Sequence, residues 1–384
     1  MIFIIWNFDP ELVNIFGRPI AWYGLLFALG FLISQQILYA IYKKEGKNPE
    51  DVDTLTVYMV IATIVGARLG HVFFYEPARY LQNPIDILKI WEGGLASHGA
   101  AIAIFIALYI YSKKQIIINL NPFQSAKWGI HVSNIKREGQ SYLQVLDRIA
   151  IGVALTGILI RLGNFMNSEI YGYPTGSDKG VFYGWNITET LLNNGDMIER
   201  IDYVKDQVRD PKPNGAQPIA INLYMKDGNY SEADYRLYLE NTVNRILGGY
   251  TFISDHIDEP INHNLDYDLT KKTDGRYTAK IRTYAIPRYP TQLFESSSYL
   301  LVFIILFLIW RKEKENTPSG KIFGYFLVVL WIFRFSWEFL KENQVAFEDK
   351  LPLNMGQLLS IPLIVVGFYL IYKAKSYKSE ITSG

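Results

Sequence analysis

Residues 21–43 read AWYGLLFALGFLISQQILYAIYK, and no charge appears until Lys43. About 20 apolar residues at ~1.5 Å each cross a ~30 Å hydrocarbon core, so the stretch predicts a membrane-spanning helix. Comparable blocks recur at roughly 52–75, 93–112, 145–166, 291–310, 320–340 and 357–373, with the charges gathered between them. The 384-residue chain is 49% hydrophobic and 20% charged. Together these features predict an all-α polytopic membrane protein of about seven transmembrane helices. A net charge of +1 gives no basis for nucleic-acid binding. The absence of cysteine excludes disulfides, thiolate metal ligands and a cysteine nucleophile, so any thiol chemistry uses a thiol on the substrate. Of His71, His98, His131, His256 and His263, no two stand four apart on a predicted helix, and no metal site is expected. The start, MIFIIWNFDPELV, lacks a basic segment and a small-residue cleavage site, so no removable signal peptide is expected.

Lysine and arginine in the short loops predict the orientation. One side carries Lys43, Lys44 and Lys47, then Lys113, Lys114, Lys127, Lys136 and Arg137, then Arg311, Lys312 and Lys314, and finally Lys373, Lys375 and Lys378. The other carries only Arg18, Arg79, Lys89, Lys341 and Lys350. The N-terminus is therefore expected outside and the C-terminus in the cytoplasm. The chain divides into helices one to four (1–172), an extracytoplasmic insert (173–288), and helices five to seven with a cytoplasmic tail (289–384). The insert reads as a small α+β subdomain. Ser231 with Asp234 resembles a capping box opening a helix through about Leu247. Gln217–Lys226, before the turn residues Asp227-Gly228-Asn229, and Tyr277–Ile286 read as strands. Its composition marks about 200–270 as exchangeable for a linker. Gly152, Gly157 and Gly163 predict close packing of the fourth span.

Polar residues inside the spans are functional candidates, because a charge at the bilayer centre costs several kcal/mol. Counted along the predicted helices, Arg68, Arg161 and Arg334 sit roughly 8–11 Å below the outer surface. Tyr23, His98 and Gln357 lie near the outer starts of their spans, and Asn164 and Glu169 near the outer end of the fourth. A structural alternative pairs Arg334 with Glu338 and Arg161 with Glu169, but three arginines exceed what these acids neutralise. His98 as a structural hydrogen-bonder, and Trp22 and Tyr23 as interfacial anchors, also remain open. Arginine offers phosphate a planar, permanently charged fork. The pattern therefore points to a phospholipid headgroup site opening to the outer leaflet. Gly93-Gly94 before His98-Gly99 adds a helix N-terminus that suits an anion.

The sequence resembles the prolipoprotein diacylglyceryl transferase family. The signature-like stretch is Arg161-Leu-Gly-Asn-Phe-Met-Asn-Ser-Glu169-Ile-Tyr-Gly172. Supporting matches are Trp22-Tyr23-Gly24, Gly66-Ala-Arg68-Leu-Gly70 with Tyr75, and Glu92-Gly-Gly-Leu-Ala-Ser-His98-Gly99. Tyr289-Pro-Thr-Gln-Leu-Phe-Glu295, Arg334-Phe-Ser-Trp-Glu338-Phe and Met355-Gly-Gln357-Leu-Leu-Ser-Ile-Pro362 complete the set. Ser168 stands where a glycine is common, and Tyr289 replaces a usual histidine. The stretches 113–144 and 173–288 look long for the family.

The resemblance implies transfer of the diacylglyceryl group of phosphatidylglycerol to the lipobox cysteine of a prolipoprotein signal peptide. A thioether forms and glycerol phosphate leaves. It implies a bacterial cytoplasmic (inner) membrane enzyme, with its site toward the extracytoplasmic leaflet and no cofactor or metal. Arg161 and Arg334 would hold the phosphate. Asn164, Asn167, Glu169, Gly172, Glu338 and Gln357 would line or orient the substrate site. His98 is the candidate base, Tyr23 a second, and Arg68 either a phosphate ligand or a structural group.

A transporter with an arginine-lined outer vestibule is the alternative. It needs a path to the cytoplasm, and the inner halves of the spans offer only Ser34, Gln35, Gln36, Asp147 and Arg148. No Gly-x-Ser-x-Gly elbow and no paired intramembrane aspartates occur, against a serine hydrolase or an aspartyl peptidase.

Overall fold

The computed structural model describes residues 2–90, 93–119, 129–228, 230–249, 251–258, 264–342 and 351–382. Glu92, Lys127, Asn229, His263 and Lys350, named above, lie outside them. The chain opens with strands β1 (Phe3–Trp6), β2 (Glu11–Ile15) and β3 (Arg18–Ala21). Helices α1 (Trp22–Lys44), α2 (Glu50–Phe74), α3 (Pro77–Gln82) and α4 (Ser97–Lys113) follow, then β4 (Lys114–Asn119), β5 (Gly129–Asn134) and α5 (Tyr142–Met166). Next come β6 (Gly180–Tyr183), α6 (Trp185–Asn194), β7 (Ile198–Lys205), β8 (Gln217–Met225), α7 (Glu232–Tyr238), α8 (Asn244–Gly249) and α9 (Thr251–Ser254). The chain ends with β9 (Tyr267–Lys271), β10 (Tyr277–Ala285), α10 (Thr291–Glu313), α11 (Lys321–Trp337) and α12 (Met355–Thr382).

Among the described residues, six helices are long and apolar enough to cross a membrane: α1, α2, α5, α10, α11 and α12. The remaining expected span is α4, whose 17 residues make about 25 Å of helix. The fold is mostly helical, and beside the strands expected in the insert it has five outside it, β1 to β5, which the all-α description of the rest did not include. Phe-Ile-Ile-Trp in β1 is a short apolar run, which periodicity alone does not assign. It becomes a strand by pairing in parallel with β6, far along the chain. The hairpins β2–β3 and β4–β5 were also not anticipated.

The chain forms two compact units, whose boundaries fall inside α1, α5, α10, α11 and α12. The unit Leu29–Gly157, Ser298–Ile332 and Leu359–Gly384 is a helical assembly. There α2 and α4 touch through glycine: a Cβ on Gly66 would sit 2.6 Å from the Gly99 carbonyl, and one on Gly70 2.7 Å from Gly99 Cα. Gly152 packs on Ser34, whose hydroxyl donates to the Gly152 carbonyl at 2.8 Å, and Gly157 faces the Tyr299 ring. The polar residues toward the other ends of these helices are consumed structurally. Asp147 accepts the Gly320 and Phe323 N–H groups at the start of α11, both at 2.8 Å. Glu45 receives Arg148 at 3.0 Å and the Trp310 indole at 2.8 Å.

The other unit comprises Met1–Ala28, Ile158–Ser297 and Phe333–Leu358. It holds a four-stranded antiparallel sheet in the order β7-β8-β10-β9. The expected strands appear within a residue as β8 and β10, and the expected capping box at Ser231 and Asp234 is present. The helix it opens runs as α7, a π-helical turn at Leu239–Val243, and α8. Ile187, Leu191, Leu239, Val243 and Ile246 pack on Ile219, Ile221, Leu223 and Ile281 to form its core.

Candidate active site

The site grows from the last turns of α5. Arg161 and Asn164 stand one turn apart, and Arg161 Nη1 donates to Asn164 Oδ1 at 3.3 Å. Asn164 Nδ2 donates onward to Glu169 Oε1 at 2.8 Å, and Asn167 Nδ2 donates to the same oxygen at 3.4 Å. The chain then reverses sharply. Ser168 and Ile170 both hold left-handed backbone, with φ of 54° and 59°. That conformation costs an L-residue roughly 1–2 kcal/mol, the physical reason a glycine suits position 168. Gly172 follows, and a Cβ there would lie 2.8 Å from the Thr291 methyl. Tyr23 covers this end of α5: a Cβ on Gly163 would meet its ring at 2.9 Å.

The carboxylate paired with Arg161 is Glu295, one turn into α10, with Nε and Oε2 2.9 Å apart. Glu295 also meets Lys341 at 2.5 Å, Lys341 lies 3.5 Å from Glu338, and Glu338 lies 3.4 Å from Arg334. Five groups therefore alternate in sign, Arg161–Glu295–Lys341–Glu338–Arg334, beginning and ending on arginine. The row carries one excess positive charge. Glu169 is exposed and meets Asn164, which connects it to Arg161. Of the two pairs in the structural alternative, Arg334–Glu338 is present, whereas Arg161 and Glu169 are bridged by Asn164. Glu295 and Lys341 were missed as site residues. Glu295 closes the Tyr289–Glu295 motif inside a span and was a legible signal. Lys341 had read only as a loop lysine.

Gln357 is set by a capping box at the start of α12: its N–H donates to Asn354 Oδ1 at 2.9 Å, and its Oε1 accepts from the Asn354 N–H at 3.1 Å. Asn354 Nδ2 reaches Glu338 Oε2 at 3.3 Å. Among the described residues, buried Gln357 Nε2 and Asn167 Oδ1 have no hydrogen-bond partner. Buried polar groups are ordinarily satisfied, so these two atoms can each take a polar group of a ligand.

Arg68 and His98 belong to the other unit. Arg68 is buried and donates to main-chain carbonyls, from Nε to Ile87 at 2.9 Å, from Nη1 to Gly93 at 2.6 Å and from Nη2 to Asp86 at 2.5 Å. It also lies over the Tyr80 ring. Its fork is thus occupied in holding the segment before α4. His98, in the first turn of α4, is exposed, with its ring against Phe74 and Tyr75 at 5.0 and 5.8 Å.

The sequence profile of the prolipoprotein diacylglyceryl transferase family matches residues 10–130 and 126–373. A protein of Tolumonas auensis named phosphatidylglycerol–prolipoprotein diacylglyceryl transferase is 31% identical, covering 98% of this chain and 100% of its own length. A Porphyromonas gingivalis protein of the same name is 33% identical over 99% of this chain and 97% of its own. A third, of Chloroherpeton thalassium, is 29% identical over 99% and 98%.

Proposed function

Because the chain belongs to the prolipoprotein diacylglyceryl transferase family, and is thus a transferase, we propose that it lipidates prolipoproteins. The diacylglyceryl group of phosphatidylglycerol passes to the lipobox cysteine thiol of a signal peptide in the bacterial cytoplasmic membrane. The carrying observation is the row of alternating charges that ends on Arg161 and Arg334 with one excess positive charge. A phosphodiester carries a single negative charge, which suits a row with more cations than carboxylates. Gln357 Nε2 supplies an unmet donor for its oxygens or the glycerol hydroxyls, and Asn167 Oδ1 an acceptor for a hydroxyl.

In the proposed step the cysteine loses its thiol proton to a base, and sulfur attacks the glyceryl carbon that bears the phosphate. The C–S bond forms as the C–O bond breaks, and glycerol phosphate leaves with the electron pair. Fixed guanidinium groups in a water-poor site stabilise that developing charge. His98 and Tyr23 are the candidate bases. Arg68 shapes the segment leading into α4, because its donors already lie on carbonyls. The expected topology, N-terminus outside and C-terminus inside, places the site toward the extracytoplasmic leaflet. A cysteine introduced at Lys44 or Lys314 should then resist an impermeant thiol reagent in intact cells, while one at Asn229 is labelled.

The decisive experiment combines purified protein, phosphatidylglycerol and a lipobox peptide, read by mass spectrometry. The expected product is a peptide carrying one diacylglyceryl group, with glycerol phosphate released. No adduct under conditions that support a relative would refute the reading.

A further inference from the structure

The left-handed turn between Asn167 and Gly172 is held almost entirely by one other segment. Gln292 Nε2 donates to the Glu169 carbonyl at 2.6 Å, Thr291 Oγ1 to that of Ile170 at 2.9 Å, and Arg288 Nη1 to that of Gly172 at 3.2 Å. The Gly172 N–H returns a bond to the Tyr289 carbonyl at 2.9 Å, and the Tyr289 N–H donates to Tyr173 at 3.1 Å. These last two bonds use only the backbone of Tyr289, so they do not depend on tyrosine or histidine there. Arg288, Thr291 and Gln292 are each at most 2% exposed.

The segment is itself anchored in the insert. Tyr183, on β6, donates to Gln292 Oε1 at 3.1 Å. Arg288 reaches the Asp255 carbonyl at 2.7 Å and Glu342 Oε1 at 2.8 Å, and its guanidinium lies 5.1 Å from the Tyr171 ring centre. The Tyr171 hydroxyl meets buried His256 Nε2 at 3.0 Å, and Asn186 Nδ2 approaches the same nitrogen at 3.3 Å. The expectation of an exchangeable 200–270 therefore does not fit this structure. That exchange removes Asp255 and His256 and strips β10 of both neighbouring strands.

We propose that residues 288–292 form a strap whose Arg288, Thr291 and Gln292 are positioning residues for Arg161. By fixing the carbonyls of Glu169, Ile170 and Gly172, the strap holds the Glu169 carboxylate on Asn164, and Asn164 in turn orients Arg161. The sheet of the insert thereby sets the geometry of the phosphate site without touching substrate. This proposal rests on the transfer reaction given above.

The test uses the full chain with phosphatidylglycerol and a lipobox peptide. Gln292→Glu keeps the shape but turns the donor facing the Glu169 carbonyl into an acceptor. The buried carboxylate should lower the melting temperature, and the expected result in the molecules that fold is a kcat lower by on the order of 10²-fold, the scale of a small misplacement, with KM for the lipid little changed. A purely structural role predicts a lower melting temperature with kcat per folded molecule intact, and that result overturns the proposal. If Gln292→Glu fails to fold, Thr291 decides. Thr291→Val, which loses the hydroxyl, should reduce kcat, and Thr291→Ser, which keeps it, should restore it. Equal kcat in the two overturns the proposal. An inactive wild-type enzyme would instead refute the transfer reaction, so the two failures are distinguishable.

Discussion

Glu295 is the joint of the charged row, and neutralising it separates its two roles. It lies between Arg161 and Lys341 at 2.9 and 2.5 Å and is 4% exposed. Glu295→Gln leaves three cations facing Glu338 alone. Opposite charges 4 Å apart attract by about 4 kcal/mol at an effective dielectric of 20, and removing one partner of a buried pair costs about 3–5 kcal/mol. The single variant should therefore melt well below the wild type in detergent. Adding Lys341→Gln removes the matching cation, and most of that loss should return because no uncompensated charge remains. Turnover should not return, because Arg161 Nε still lacks the carboxylate that aims it. The assay pairs thermal unfolding with diacylglyceryl transfer to a lipobox peptide. Full turnover in the double variant would refute the reasoning, since Glu295 would then only neutralise Lys341. An unchanged melting temperature in the single variant would refute the ionic description of the row.

Arg161→Lys and Arg334→Lys keep the charge but lose the fork. Each should stay folded with turnover down roughly 10- to 100-fold, from 1.5–3 kcal/mol for a charge-assisted hydrogen bond. Arg334→Gln with Glu338→Gln should be stable in detergent yet inactive, whereas an active pair would make Arg334 a counter-ion only. Ser168→Gly should stabilise the protein by about 1 kcal/mol, because it relieves a φ of 54° and removes a buried hydroxyl without a partner among the described residues. A lower melting temperature in that variant would contradict the strain. Burial, reinforced by Arg288, pushes the pKa of His256 from 6.5 down to about 3. The unfolded chain then takes up the proton first. The stabilisation is complete above 6.5 and erodes toward 3, by about 1.4 kcal/mol per pH unit. Melting temperature should fall more steeply between about pH 7 and 5 in the wild type than in His256→Gln, and parallel profiles would exclude a neutral buried histidine.

The membrane-spanning helices were legible in the sequence because a hydrocarbon core imposes a length and a composition on each span, whatever its neighbours. The strands β8 and β10 and the capping box at Ser231 were legible for a similar reason, since local alternation and a three-residue spacing carry them. Gly152, Gly157 and Gly163 announced close packing of the fourth span, though not that Ser34, Tyr299 and Tyr23 would meet them. The arginines stood out because a charge in an apolar run needs a reason. The partners of those charges were not legible. Arg161 appeared close to Glu169 in sequence, yet its carboxylate is Glu295, more than a hundred residues on. Lys341 looked like a loop cation and instead lies buried between Glu295 and Glu338. Arg68 read as either a third phosphate ligand or a structural group, and its fork lies on main-chain carbonyls. β1 became a strand only through its pairing with β6. A local pattern determines whether a segment can cross a bilayer or fold on itself. Which charge meets which, and which carbonyl meets which donor, depends on packing between segments distant in the chain, and only the tertiary structure decides it.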